Sequence, residues 1–257
     1  MIRTITATEY VTPLREGGSL PAIVEGDDDG TYVVKFRGAG QGVKALIAEL
    51  ISGEIARLLG LKVPEIVFAD VDARMAKTEP DPEIQDLLRK SVGLNVALDY
   101  LPGSITFDPL VERAAAIASL PRLASTIVWF DAFVTNVDRT AKNTNLLIWH
   151  RDLWLIDHGA TLIFHHSWDG DPGRARNAFP QIKDHVLLRW ASELREVDEE
   201  LAARLTPDTL ASVVELIPPA WFEEGPGAGA YVEYLSRRLE SPREWLEEAV
   251  RARAARV

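Results

Sequence analysis

Near residue 100 the hydrophobic pattern of this 257-residue chain changes period, and that change restricts the fold more than any other feature. Before it, apolar and β-branched residues fall in short runs, TATEYVTPL, PAIVEG and TYVVKF, separated by the turn-forming stretches REGGSL and DDDG. Such runs, broken by turn chemistry at hairpin spacing, predict three antiparallel strands. One helix interrupts them: from Val43 to Leu61, apolar residues at 43, 46, 47, 50, 51, 55, 58 and 59 keep the helical period, and Gly60 stands where a helix stops. KVPEIVFADV reads as a further strand, Pro82 to Lys90 as a weaker helical segment, and GLNVALDYLPGS as a strand running into a Pro-Gly turn. Beyond that turn, RAAAIASLPRLASTIVWFDAFVTN, ELREVDEELAARL and AYVEYLSRRLESPREWLEEAVRARAARV are helical, with amphipathic faces in the last two. The expected fold class is α+β: a single domain over 1–257 with a small antiparallel β-rich lobe (1–96), a crossing segment (97–103) and a larger, mainly helical lobe (104–257).

A hydrophobic content of 47% fills a core for such a chain, and a formal charge of -11 opposes encounter with nucleic acid or an anionic membrane. The absence of cysteine removes disulfides, thiolate metal sites and a cysteine nucleophile. The most apolar stretch, Leu123 to Val137, is interrupted by Asp131 and is too short to span a bilayer, so a soluble cytoplasmic protein is expected.

Within the helical part, NVDRTAKNTNLLIWHRDLWLIDHG stands out because it carries Asp138, Asn143, Asn145 and Asp157. LLIW and LWLID read as a hairpin around His150, Arg151 and Asp152, which delivers Asp157 to the mouth where Asp138 and Asn143 meet. Oxygen donors of this kind suit Mg²⁺, and they equally suit a solvated turn. Lys35, in the middle of the apolar strand TYVVKF, either snorkels from an edge or points into a cleft toward nucleotide phosphates. Its carboxylate partner is then Glu49, beside the apolar stripe of the helix, with Glu54 as the competing choice. Gly17 and Gly18 in REGGSL place backbone N–H groups where phosphate oxygens could approach, or serve a hairpin turn alone. In chain order, these parts match those of ATP-dependent phosphoryl transfer.

YVVKF with Lys35, AELISGEIARLLGLKVPE with Glu49, NVDRTAKN with Asp138, Lys142 and Asn143, and LIDHG with Asp157 resemble the HipA-like kinases, relatives of the protein and phosphoinositide kinases. The resemblance covers residues 15 to 160 and implies a bilobal, protein-kinase-like fold. It also implies that Asp138 orients and deprotonates the acceptor hydroxyl, and that Lys142 stabilises the transferred phosphoryl group. Asn143 and Asp157 would hold Mg²⁺ on ATP, Lys35 would contact the phosphates, and Asp99, Tyr100 and Leu101 would form the hinge at the adenine. Asn145 is left as a turn or supporting residue, and His165 and His166 as loop residues. The acceptor is expected to be Ser or Thr of a protein, the alternatives being a small molecule or lipid, or a silent pseudokinase that binds a partner. Ser19 falls in the turn that toxin members of the family can autophosphorylate, though its neighbours differ, and Asn136 stands where aminoglycoside-type phosphotransferases have His. SWDGDPGRARNAFPQIKDH occupies the place of an activation or substrate loop.

Overall fold

The computed structural model describes residues 1–14, 20–111, 116, 120–223 and 225–256. Five strands, β1 (Thr4–Pro13), β2 (Ala22–Gly26), β3 (Thr31–Lys35), β4 (Ile66–Val71) and β5 (Gly93–Asp99), close on one another in the order β1-β2-β3-β5-β4. The β1-β2-β3 meander is antiparallel as expected, but β1 pairs with β4 in parallel, Thr4 opposite Phe68 and Thr6 opposite Asp70. Closure removes the open edges that a three-stranded sheet would present. Alternation within a strand fixes which face is buried, not which distant strand lies alongside, so this pairing was not readable from the pattern.

Period-two alternation sends the strands' side chains into two separate cores. Val67, Ala69, Val71, Ala97, Tyr32 and Val34 pack on one face with α2 (Met75–Thr78) and α3 (Pro82–Lys90). Ile66, Phe68, Val96 and Leu98 pack on the other with α1 (Val43–Leu58), in a core that continues into the helical part of the chain. Lys35 lies opposite Val96 in the β3-β5 ladder, hence on this second face. Close approach of α1 to β4 requires Gly53, because a Cβ there would collide with the Ile66 side chain. The helix ends as the sequence indicates: Gly60 adopts φ +82°, with Gly60 N–H donating to Arg57 O at 2.9 Å and Leu61 N–H to Ala56 O at 3.0 Å. That pair of bonds is the Schellman arrangement.

The helical part contains α4 (Pro121–Phe133), α5 (Leu194–Arg204), α6 (Pro207–Val214), α7 (Ala228–Leu239) and α8 (Glu244–Ala254). Of the helix predicted from Arg113 onward, most residues before Leu120 lie outside the described set; α4 begins with Pro121 at its first turn, where a missing N–H costs nothing. Its last two carbonyls, Ala132 O and Phe133 O, accept from buried Arg238 at 2.7 Å, and the same guanidinium donates to Ala175 O at 2.8 Å. β7 (Leu146–Trp149) and β8 (Asp152–Leu155) form the predicted hairpin, extended by β6 (Ile105–Thr106). Its turn is shorter than expected: only His150 and Arg151, at φ +48° and +69°, lie outside the ladder, and Asp152 pairs with Trp149. After β8 the expected loop is built from short 3-10 turns whose Phe164, His165, Ala175, Phe179 and Ile182 are buried. Among the described residues no helix is long and apolar enough to cross a membrane.

Candidate active site

Three elements distant in sequence meet at Lys35. From β3, its ammonium donates to Glu49 Oε2 of α1 at 2.5 Å and to Asp157 Oδ1, just past β8. Glu54, the competing carboxylate, turns away to Arg57. The Glu49 side chain is fully buried and also accepts from the backbone N–H of His158 at 2.8 Å, while Nδ1 of that histidine lies 3.4 Å from Oε1. Burial by itself would push the Lys35 ammonium down; Glu49 and Asp157 outweigh it and hold it above its usual range. Burial likewise opposes ionisation of Glu49, but Lys35 and His158 lower it to about 2. Asp157 adopts φ +56°, a left-handed conformation that aspartate tolerates better than most residues. Its side chain keeps 41% exposure, so the network opens to solvent at this end.

A second cluster surrounds Asp138. Asn143 Nδ2 donates to Asp138 Oδ2 at 2.7 Å, and Asn145 Nδ2 to the same oxygen at 3.1 Å. Burial raises the Asp138 carboxyl, opposed by the Asn145 and Asn143 amides and reinforced by the charge of Asp157. The two clusters are thus electrostatically coupled. Beneath them lies a network that sequence reasoning missed. Asp131 of α4 accepts from Arg139 Nε at 2.6 Å and Asn136 Nδ2 at 2.7 Å, and lies 2.8 Å from His185 Nε2. Asn136 Oδ1 accepts from Asp138 N–H at 3.0 Å, and Arg139 Nη1 donates to Asn145 O. Val186 N–H donates to Arg139 O at 3.1 Å, tying the segment after β8 to the same loop. The signals were present: an aspartate breaking the most apolar helix, an arginine beside Asp138, and an asparagine two residues before it.

The remaining predicted residues fare differently. Asp99 and Tyr100 commit their N–H groups to Glu65 O and Thr31 O, both at 2.9 Å; Leu101 N–H is the one of the three with no backbone acceptor among the described residues. Lys142 is exposed and forms no ion pair among the described residues. Gly17, Gly18 and Ser19 lie outside the described residues. His165 is a core residue, 3.1 Å from the Tyr231 hydroxyl, whereas His166 is exposed. No three His, Cys, Asp or Glu side chains converge as a metal cage among the described residues. The donors on offer are the Asn143 amide oxygen, left over when Nδ2 faces Asp138, and the Asp157 oxygen not bonded to Lys35. One carboxylate and one amide fit a hard cation that keeps water and phosphate oxygens in its shell, as Mg²⁺ does.

The family model described as HipA-like kinase matches residues 7–247. The chain belongs to the HipA-like kinase family. Among solved structures it is similar to the Helicobacter pylori proinflammatory kinase CtkA, with a TM-score of 0.55, 13% identity and all of both chains covered. It is also similar to the Golgi casein kinase solved with Mn and ADP bound, with a TM-score of 0.50, 11% identity, and 99% of this chain and 74% of that one covered. At these identities the likeness speaks to the fold alone. No curated protein matches the sequence.

Proposed function

We propose that this HipA-like kinase transfers the γ-phosphoryl group of ATP, with Mg²⁺, to a hydroxyl acceptor on Ser or Thr of a protein. The observation that carries this reading is the convergence of Lys35, Glu49 and Asp157 from a strand, a helix and the segment after a hairpin, electrostatically coupled to a partly buried Asp138. In this reading the β-rich part over 1–96 and the helical part over 104–257 are the two lobes of one kinase domain, joined through 97–103. The adenine lies against Asp99, Tyr100 and Leu101, where Leu101 N–H is the available backbone donor. Gly17, Gly18 and Ser19 cover the phosphates, and Lys35, held by Glu49, neutralises the α- and β-phosphates.

Asp138 accepts a hydrogen bond from the acceptor hydroxyl and takes its proton as the oxygen–phosphorus bond forms and the γ-phosphorus separates from the bridging oxygen of ADP. Lys142, exposed and next to Asn143, stabilises the transferred group. Asn143 and Asp157 hold Mg²⁺, which when bound neutralises charge on the phosphate oxygens. The acidic, cysteine-free composition fits a cytoplasmic setting.

Calorimetry with ATP in the presence and absence of Mg²⁺ tests the first requirement, and no binding in either condition rules the reading out. Labelled ATP then identifies the acceptor: label on protein supports Ser/Thr transfer, and label confined to metabolites or lipids replaces it with the small-molecule alternative. Binding without transfer to any acceptor would make the chain a pseudokinase.

A further inference from the structure

We propose that Asn145 is the positioning residue of the Asp138 carboxylate, holding its Oδ2 from the buried side so that Oδ1 meets the acceptor. This rests on the kinase reading and extends it from a D-x-x-x-x-N pair to a D-x-x-x-x-N-x-N set. Both amides, of Asn143 and Asn145, donate to one oxygen of Asp138, whereas Oδ1 accepts from none of the described residues. A carboxylate has lone pairs on both oxygens, so saturating one from below dedicates the other to the cleft.

The two asparagines are not equivalent. Asn143 is exposed, and in the kinase reading its amide oxygen also serves the cation. Asn145 is 8% exposed and anchored through its backbone: its carbonyl accepts from Arg139 Nη1 and from Ile156 N–H at 3.1 Å. Arg139 is itself fixed by Asp131, and Ile156 precedes Asp157, so Asn145 sits at the junction of both catalytic segments. Its φ of +47° restricts the choice of residue. Glycine and aspartate tolerate that conformation but supply no donor; asparagine supplies one. Asn145 is therefore the donor whose only task at the site is to keep Asp138 oriented.

The test uses the full chain as wild type, Asn145→Gly, Asn145→Asp and Asp138→Ala. Loss of a hydrogen bond to a charged group predicts kcat lower by about 10- to 100-fold in Asn145→Gly, with KM for ATP unchanged because the nucleotide is not touched. Asn145→Asp, which keeps the shape but opposes two carboxylates, should be the slower of the two while still unfolding cooperatively. A second readout does not depend on turnover. The Asn145 side-chain amide resonance, assigned by its absence in Asn145→Gly, should move upfield in Asp138→Ala as its charged acceptor disappears. An unmoved amide overturns the inference whatever the activity. So does a wild-type kcat in both Asn145 variants when Asp138→Ala is inactive. A shifted amide in a wild type that neither binds ATP nor transfers phosphate upholds the contact and brings down the kinase reading instead.

Discussion

Two buried charge networks, each holding an Asp or Glu against a cation and a histidine, lie close together and are built to opposite ends. In the Asp131–Arg139–His185 network the arginine and aspartate side chains are both 0% exposed, and the carboxylate oxygens are filled by protein donors. In the Lys35–Glu49–Asp157 network the interior end is equally sealed, but the lysine keeps 11% exposure and Asp157 41%. A carboxylate sealed in this way has a single arrangement, because leaving it unpaired would strand a charge in low dielectric, even though buried Arg139 Nη2 has no hydrogen-bond partner among the described residues. An open one can exchange Asp157 for another anion at its wet end, while Glu49 stays bound to Lys35 and His158. In the proposed kinase reading, the first holds the Asp138 loop in shape and the second engages phosphate.

Breaking the sealed network should produce the largest loss of stability. Asp131→Ala strands Arg139 in the core and should cost about 3–5 kcal/mol by chemical denaturation. Lys35→Met should separate the two roles: transfer falls by about 10²- to 10³-fold, yet less stability is lost than in Asp131→Ala, because Glu49 keeps its bonds from His158 and Asp157 can turn to solvent. Equal losses of stability in the two variants would erase the distinction. His158→Phe keeps the backbone bond and the ring packing on Phe130 and loses only the 3.4 Å contact, for about 1 kcal/mol.

What the sequence disclosed follows the same division. Lys35 and Glu49 were legible because each violates a local rule, a lysine within an apolar strand and a carboxylate beside an apolar helical stripe. α1, α3 and the β7-β8 hairpin follow from periodicity and turn residues. Asp131, Arg139 and His185 were not assembled, since their meeting depends on α4, the Asp138 loop and the last 3-10 turns packing together although Asp131 and His185 are 54 positions apart. Buried polar side chains follow no period. The parallel β1-β4 pairing was hidden for a similar reason, being a long-range closure with no local turn to announce it.

Acid should take the networks apart in different windows. His185 is held below its usual value of 6.5, chiefly by burial, although Asp131 opposes this. Its stabilising contribution is therefore complete above about pH 6.5 and is lost as pH falls and the unfolded chain takes up the proton. His165, lowered to about 3 by burial and by His166 and Lys44, shares that window. Glu49, with an ordinary value of 4.5 and a folded value of about 2, contributes above pH 4.5 and loses that contribution between pH 4.5 and about 2. Urea titrations across pH should show His185→Gln reducing the slope of the upper window, where His165 still contributes, and Glu49→Gln that of the lower; the reverse assignment would break the comparison.

The smallest effect is expected where a charge pair has neither sealed end. Lys62 and Asp152 bridge the segment after α1 and the hairpin with a direct ion pair, yet both side chains are 47% exposed. Solvent screens such a pair and both groups are well hydrated without it, so Asp152→Asn should change stability by less than about 1 kcal/mol. Raising the salt concentration should remove even that difference, while leaving the penalty of Asp131→Ala in place. If Asp152→Asn instead cost as much as Asp131→Ala, burial would not be what separates the networks, and pairing alone would have to carry both.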